Sequence, residues 1–148
     1  MKGYSIEIEG TTAKARLVET DISLKDAVNI AHHLKNKKLS DAKEILEKVI
    51  AKTYAIPYFR YNDSVSHRKG MGPGRYPIKA AKAFAKLLEN VEGNAEFKSM
   101  DSDNLIIRHI AANKGRVIKK FTPKAYGRAG ANFKDLINVE IIVSEVEA

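Results

Sequence analysis

The spacing of apolar residues changes along the chain and predicts an α+β fold. Apolar and polar residues alternate over positions 13–18, which predicts a strand with one buried face. Its buried positions are Ala13, Ala15 and Leu17, and its solvent-facing positions are Lys14 and Arg16. Strand-like sequence returns at 105–110 and at 136–143, and in the second segment Asn138 and Glu140 alternate with apolar residues, as in a strand with one solvated face. We therefore expect a small antiparallel sheet.

Three segments between these strands have apolar residues at helical spacing, so we expect three helices packed on the sheet. Ser23 is the predicted N-cap of the first, which runs to about Asn36, because Asp26 follows at a capping-box distance. Ser40 is the predicted N-cap of the second. The third begins at Pro77, and Gly93 either ends it or only weakens it.

The last two predicted strands flank a cationic segment that fits neither helix nor strand periodicity. Residues 119–134 read KKFTPKAYGRAGANFK, with five cations and no acid. Two strands joined through such a segment form a hairpin, here called the hairpin, over about residues 111–136. Arms of about a dozen residues reach roughly 40 Å, against a radius of gyration near 15 Å for a chain of this size. We therefore expect the hairpin to protrude.

Composition limits the kinds of protein that the chain can be. It has 148 residues, 44% of them apolar, which suits a single domain spanning residues 1–148. It has no cysteine, which excludes a disulfide scaffold and a thiolate metal site. The N-terminal sequence lacks the apolar core of a signal peptide, and no apolar run is long enough to cross a bilayer. We expect a protein of the reducing cytoplasm that has no membrane partner.

Positive charge is concentrated in two parts of the chain. Positions 114–134 carry seven Lys or Arg and no acid, and positions 52–86 carry eight against the single Asp63. These two parts hold all of the net charge of +8, so the rest of the chain is net acidic. Such segregation favours a polyanionic partner, although a merely solvated basic surface remains an alternative.

The second basic part includes a segment, about residues 54–76 and here called the insertion loop, in which tyrosine and phenylalanine alternate with cations. Its glycines and Pro73 disfavour regular structure. Planar rings beside guanidinium groups suit unpaired RNA bases and phosphates. The alternative is that about half of these rings cover the helices. The rings are Tyr54, Tyr58, Phe59, Tyr61 and Tyr76.

The residue pattern predicts neither a catalytic site nor a bound metal or cofactor. The glycines at 70–74 lack the Gly-Lys-Ser/Thr of a phosphate-binding loop. His32 and His33 are adjacent on a helix and point about 100° apart, so they cannot form a two-histidine metal face. His67 is better suited to a phosphate or base contact, and His109 to a place in a sheet. An RNA-modifying enzyme is the weakest alternative, because no nucleophile has an evident base.

Several sequence blocks together resemble one protein family. KKLSDAKEIL, HRKGMGPGRYPIKAAKAFAKLL, IKKFTPKAYGRA and INVEIIV occur in the order found in large ribosomal subunit protein twenty-two in its archaeal form, which is numbered seventeen in eukaryotes. The resemblance covers about residues 10–144. Its most specific part is Pro123-Lys124-Ala125-Tyr126-Gly127-Arg128-Ala129, which is similar to the signature of the family. The insertion loop resembles a segment that bacterial members lack.

The resemblance implies a structural, non-enzymatic component of the large ribosomal subunit. Its partners would be large-subunit (23S) rRNA, neighbouring ribosomal proteins and the nascent peptide, with no homo-oligomer expected. The hairpin tip would line the peptide exit tunnel, and by position it would comprise Lys119, Lys120, Phe121, Thr122, Pro123 and Lys124. The expected rRNA contacts are Lys14, Arg16, Arg60, His67, Arg68, Lys69, Arg75, Lys114, Arg116, Lys119, Lys120, Lys124, Arg128 and Lys134.

Two questions stay open in the sequence. Gly127 could supply a positive φ or allow RNA to approach the backbone closely. A free regulatory nucleic-acid-binding module would explain the charge segregation as well as a ribosomal protein does.

Overall fold

The computed structural model describes residues 3–145 and has the predicted α+β architecture. The helices are α1 (Leu24–Leu34), α2 (Leu39–Ile50) and α3 (Ile78–Phe97). The strands are β1 (Thr12–Thr20), β2 (Ile56–Pro57), β3 (His67–Arg68), β4 (Gly72–Arg75), β5 (Leu105–Ile118), β6 (Phe121–Pro123), β7 (Ala129–Ala131) and β8 (Lys134–Glu145). Short 3-10 helices lie at Ser102–Asn104 and Ala125–Gly127.

The main sheet is antiparallel with the order β1-β8-β5, so the last strand is central. Helix α3 packs on β1, α1 packs on β5, and α2 packs on α3. One apolar core lies between the sheet and the helices, and Phe84, Leu46 and Ile141 are among its fully buried members. The inward-facing residues of β8 that belong to this core are Ile137, Val139, Ile141 and Val143.

Strand β8 is buried on both faces, whereas its alternating pattern predicts one solvated face. Glu140, at an expected solvent-facing position, is only 4% exposed. Residues near the N-terminus explain this burial, because the backbone and hydroxyl of Ser5 donate to its carboxylate. Arg16 and His109 flank the same carboxylate, with nitrogen–oxygen distances of 3.4 and 3.3 Å. The carboxylate is therefore hydrogen-bonded where it is shielded from water.

The predicted start of α1 holds, its end lies at Leu34 instead of near Asn36, and the predicted N-cap of α2 is wrong. Ser23 caps α1, and its hydroxyl accepts from the backbone N–H of Asp26. Helix α2 starts before Ser40, at the buried Leu39, with Lys38 at the N-cap and no side-chain cap. A bridge from Lys38 to strand β5 fixes the entry of the chain, so tertiary pairing overrides the local capping preference.

Helix α3 begins directly after Pro77 and continues through Gly93 to Phe97, so the glycine does not end it. Within residues 3–145, no helix combines the length and apolar character needed to cross a bilayer.

Candidate nucleic-acid interface

The two arms of the hairpin are the outer halves of β5 and β8 and the short pair β6–β7. Strand β5 pairs with β8 as far as Ile118 opposite Lys134. The ladder resumes with Phe121 opposite Ala131 and ends with Pro123 opposite Ala129. The sequence put the tip at positions 119–124. In the structure, positions 119–123 belong to the outgoing arm, and the chain reverses over Ala125–Gly127.

Two consecutive residues with positive φ make this reversal. Tyr126 has φ 57° and Gly127 has φ 68°, and the N–H of Lys124 donates to the carbonyl of Arg128 at 2.7 Å. A β-carbon on Gly127 would meet nothing within 4 Å. Within this chain, therefore, conformation rather than close packing explains the glycine. Tyr126 is left-handed without being glycine, and its side chain is 97% exposed at the apex.

The cations at the base of the hairpin are paired with acids of the same protein. Lys114 lies 2.9 Å from Asp135, and Arg116 lies 2.8 Å from Glu19. Lys134 lies 2.7 Å from Asp21, which also accepts from a lysine of α3. The hydrogen bond from Lys134, followed by the one from α3, lowers the pKa of the Asp21 carboxyl. These pairs neutralise the basal charge and join the hairpin to the end of β1 and to α3.

The distal cations have different surroundings. Lys119, Lys120, Lys124 and Arg128 are all exposed, and none forms an ion pair within residues 3–145. The distal part of the hairpin also exposes aromatic rings: Phe121 meets Phe133 edge to face, with ring centroids 6.1 Å apart. The seven cations of 114–134 thus divide into a neutralised base and a distal end with four uncompensated positive charges.

The insertion loop is held by a small sheet with the order β2-β4-β3. The guanidinium of Arg68 lies 5.2 Å from the ring centre of Tyr76, and its Nε donates to the carbonyl of Gly74. The four predicted contact residues of this sheet are exposed, namely His67, Arg68, Lys69 and Arg75. The loop therefore presents its positive charge on an ordered support.

The rings of the insertion loop divide between the core and the surface. Tyr58 is buried and donates its hydroxyl to Asp26, and burial raises the pKa of the Tyr58 phenol. Tyr54 is half-buried beside His33, with 3.2 Å between the hydroxyl oxygen and Nε2. Phe59 and Tyr61 are 49% and 39% exposed. Tyr54 and Tyr58 therefore cover the helices, as one alternative predicted, whereas Phe59 and Tyr61 remain open to a partner.

One residue that organises the insertion loop was missed in the sequence. Asn29 lies on α1 and is fully buried, and its amide makes four hydrogen bonds. Its Oδ1 accepts from the backbone N–H groups of Phe59 and Arg60, and its Nδ2 donates to the carbonyls of Arg60 and Lys25. A single polar residue within an apolar stripe would have been the only signal.

The two cations predicted on β1 differ from the distal cations of the hairpin. Arg16 donates to Glu140 and to the carbonyl of Gly3, and its guanidinium lies 5.1 Å from the ring centre of Tyr4. Lys14 lies beside the same ring, at 5.6 Å. Both side chains thus have contacts within the protein.

The described residues offer no cluster of metal ligands. No group of three or more His, Asp or Glu side chains is placed to hold an ion in the part of the chain from 3 to 145. The arrangement of charge and rings can bind an extended anion, with exposed cations for phosphates and exposed rings for bases.

Comparisons with known proteins agree with the sequence resemblance. The profile of the family described as ribosomal protein L22p/L17e matches residues 15–144. A relative from Thermoplasma acidophilum named large ribosomal subunit protein uL22 is 77% identical over 145 residues, which cover 98% of this chain and 96% of the relative. Relatives with the same name from Picrophilus torridus and Methanoculleus marisnigri are 66% and 45% identical, each over 97% of the relative and at least 97% of this chain.

Proposed function

This chain belongs to the ribosomal protein L22p/L17e family, and we propose that it binds large-subunit (23S) rRNA through the hairpin and the insertion loop. Family membership makes it a structural component of the large ribosomal subunit rather than an enzyme. Within that subunit it supports assembly and contacts neighbouring ribosomal proteins. It acts in the cytoplasm as a single copy, without a membrane partner.

The contrast between paired and unpaired cations carries the proposal. Free positive charge on a protruding segment is self-repulsive unless a polyanion neutralises it, and phosphate contacts supply most of the affinity in such complexes. The basal pairs instead orient the hairpin. We expect the strongest phosphate contacts at Lys119, Lys120, Lys124 and Arg128, followed by those of the insertion loop at Arg60, His67, Arg68, Lys69 and Arg75.

The remaining predicted contacts are weaker candidates, because four of the five already form an ion pair within the protein and Lys14 lies on the same strand as one of them. They comprise two residues of β1 and three at the hairpin base, namely Lys14, Arg16, Lys114, Arg116 and Lys134. A phosphate that reaches them must replace or share these contacts.

The same geometry supports a role for the apex in the peptide exit tunnel. The distal end of the hairpin comprises residues 119–124 and the apex at Ala125–Gly127, and every side chain from 119 to 129 is exposed. With the flanking cations bound to rRNA, the apex lines the tunnel wall and meets the nascent peptide.

Binding to a transcript of the large-subunit rRNA, measured at several salt concentrations, tests the proposal. If about eight cations each neutralise a phosphate, log affinity falls with log salt at a slope of roughly −6. Replacing Lys119, Lys120, Lys124 and Arg128 by Gln reduces the slope to about −3.

The matched control removes basal cations together with their acids, so that net charge is unchanged. The changes are Lys114→Gln with Asp135→Asn, and Arg116→Gln with Glu19→Gln. We expect the slope to change by less than about 1. A quadruple variant that behaves like this control would contradict the proposal. Sedimentation of native protein free of large subunits would favour a separate regulatory role.

A further inference from the structure

We propose that Phe59 and Tyr61 form a stacking platform for unpaired bases of rRNA, here called the platform. This inference rests on the proposed rRNA binding and adds to it the chemical class recognised by one surface: the exposed faces of single-stranded bases rather than duplex backbone. The platform lies where the insertion loop meets α1, away from the hairpin apex.

Both rings of the platform keep a large exposed area despite close neighbours. Phe59 stacks on His32 with centroids 3.9 Å apart and planes inclined by 27°, and it is still 49% exposed. Tyr61 is 39% exposed. Each ring therefore keeps open area on which a base can stack.

Two cations lie near the ring of Tyr61. The guanidinium of Arg60 lies 5.3 Å from the ring centre, and the ammonium of Lys25 lies 5.9 Å from it. A base stacked on such a ring brings its phosphate close to these cations, so that stacking and charge neutralisation act on the same nucleotide.

The platform is held in shape before any partner binds. The buried amide of Asn29 fixes the backbone of Phe59 and Arg60 to α1 through three of its hydrogen bonds. Tyr61 follows with φ 58°, a conformation that side chains other than glycine adopt at a cost. A preorganised pair of rings loses little further entropy when a base stacks on it.

A groove connects the platform with the hairpin. It is lined by Tyr61 and Lys25, by Phe133 and Lys134 of the hairpin, and by the carboxylates of Asp21 and Asp135. Because these carboxylates are paired with Lys134 and Lys114, a strand bound to the distal cations of the hairpin can reach Tyr61 across neutralised groups. This continuity favours RNA already bound to the hairpin as the occupant.

The test compares two RNA probes on the full chain at one salt concentration. One probe is an oligoadenylate of about ten nucleotides, and the other is an RNA duplex of similar length. We expect the double change Phe59→Leu and Tyr61→Leu to weaken oligoadenylate binding by about tenfold and duplex binding by less than about twofold, since stacking requires an open base. The conservative pair Phe59→Tyr and Tyr61→Phe should retain oligoadenylate binding within about twofold.

A ring elsewhere supplies the control. Phe97, at the end of α3, is 92% exposed, and no cation–ring contact is found for it in the described part of the chain. Phe97→Leu should leave both affinities unchanged. Matching thermal midpoints of all variants exclude unfolding as the cause.

Each result decides one question. Equal binding of oligoadenylate by wild type and the Leu double variant would overturn the platform while leaving rRNA binding intact. Equal loss on both probes would also overturn it, because it would indicate general charge effects. If the wild type binds none of the three RNAs, that is, neither probe and not the rRNA transcript, the proposed function itself would be contradicted. In assembled large subunits, ultraviolet crosslinks from Phe59 or Tyr61 to RNA are expected, and a protein neighbour covering both rings would overturn the platform.

Discussion

Replacing Asn29 by Ala should release the insertion loop from α1 and measurably destabilise the protein. Asn29 is fully buried, and its amide supplies the only side-chain hydrogen bonds that the structure gives to the backbone of residues 59–60 among the described residues. The donor–acceptor distances of these bonds run from 2.9 to 3.2 Å. Alanine can neither donate nor accept, so three backbone groups lose their partner.

The magnitude follows from these bonds. A hydrogen bond of this kind contributes about 1 kcal/mol net, so losing three costs about 3 kcal/mol. The shortened side chain leaves a small void that adds to the cost, whereas water can reach the backbone of the exposed Phe59 and Arg60 and reduce it. We expect the free energy of unfolding to fall by about 2–4 kcal/mol, and the thermal midpoint by roughly 10 °C.

Thermal and denaturant unfolding monitored by circular dichroism would measure this change. Asn94→Ala is the matched control, because Asn94 is exposed and donates one side-chain hydrogen bond, to the carbonyl of Lys14. It should cost less than about 1 kcal/mol. Equal effects of the two substitutions would refute the assignment of Asn29 as the clamp of the insertion loop.

Asn29→Asp keeps the size of the side chain but removes the two hydrogen bonds that Nδ2 donates. The introduced carboxyl retains the acceptor for Phe59 and Arg60, but when ionised it faces two carbonyl oxygens that Nδ2 formerly contacted at 2.7 and 2.9 Å. Burial and these carbonyls raise its folded pKa above the unfolded value of about 3.9. The variant should therefore lose stability as pH rises from the unfolded towards the folded pKa, relative to wild type. A pH-independent difference would contradict this explanation.

Three further predictions concern stability. Asp21→Asn should lower the thermal midpoint at neutral pH. Because the folded pKa of Asp21 is depressed, the stability it contributes is present above about pH 4 and is lost as pH falls through the folded pKa. The thermal midpoints of wild type and variant should therefore converge in acid, and a constant difference would contradict the ion pairs. Gly93→Ala, on an open helix surface, should stabilise the protein by about 0.5–1 kcal/mol. Gly115→Ala should destabilise it by about 1–3 kcal/mol, because the new β-carbon would lie 3.0 Å from a backbone oxygen. Chemical denaturation that gives the same sign for both variants would refute this interpretation of the local geometry. Leu46→Ala should cost about 2–5 kcal/mol because Leu46 is fully buried, and Phe121→Ala, on the exposed hairpin, should cost less than about 1 kcal/mol; equal costs in urea unfolding would show that the hairpin packs on the body.

Local periodicity was sufficient to predict the helices and the main strands. Apolar stripes located α1 and α3 closely, because their inward faces meet the core over several turns. The start of α2 was misplaced because a bridge to strand β5, distant in sequence, fixes Lys38. The apex was misplaced because the reversal depends on a tyrosine with positive φ, which residue preferences do not favour.

The sequence predicted which residues make up the candidate interface, but not which of its cations are paired with acids or which of its rings are buried. Sequence alone showed where cations accumulate, and it could not show that Arg116 and Lys134 meet acids from the end of β1, about a hundred residues earlier. Nor could it separate Tyr58, which is buried, from Phe59 and Tyr61, which are not. Both distinctions arise from tertiary packing, which brings together segments that share no local pattern.

Photocrosslinking of a nascent peptide would show whether the end of the hairpin lies in the peptide exit tunnel. The peptide carries a photoreactive group at successive distances from the peptidyl centre, on ribosomes that contain this chain. We expect crosslinks confined to a narrow range of distances, to residues 119–128 and strongest at Tyr126, whose ring is 97% exposed. Ribosomes in which no position crosslinks to residues 119–128 would contradict the placement of the hairpin in the tunnel wall.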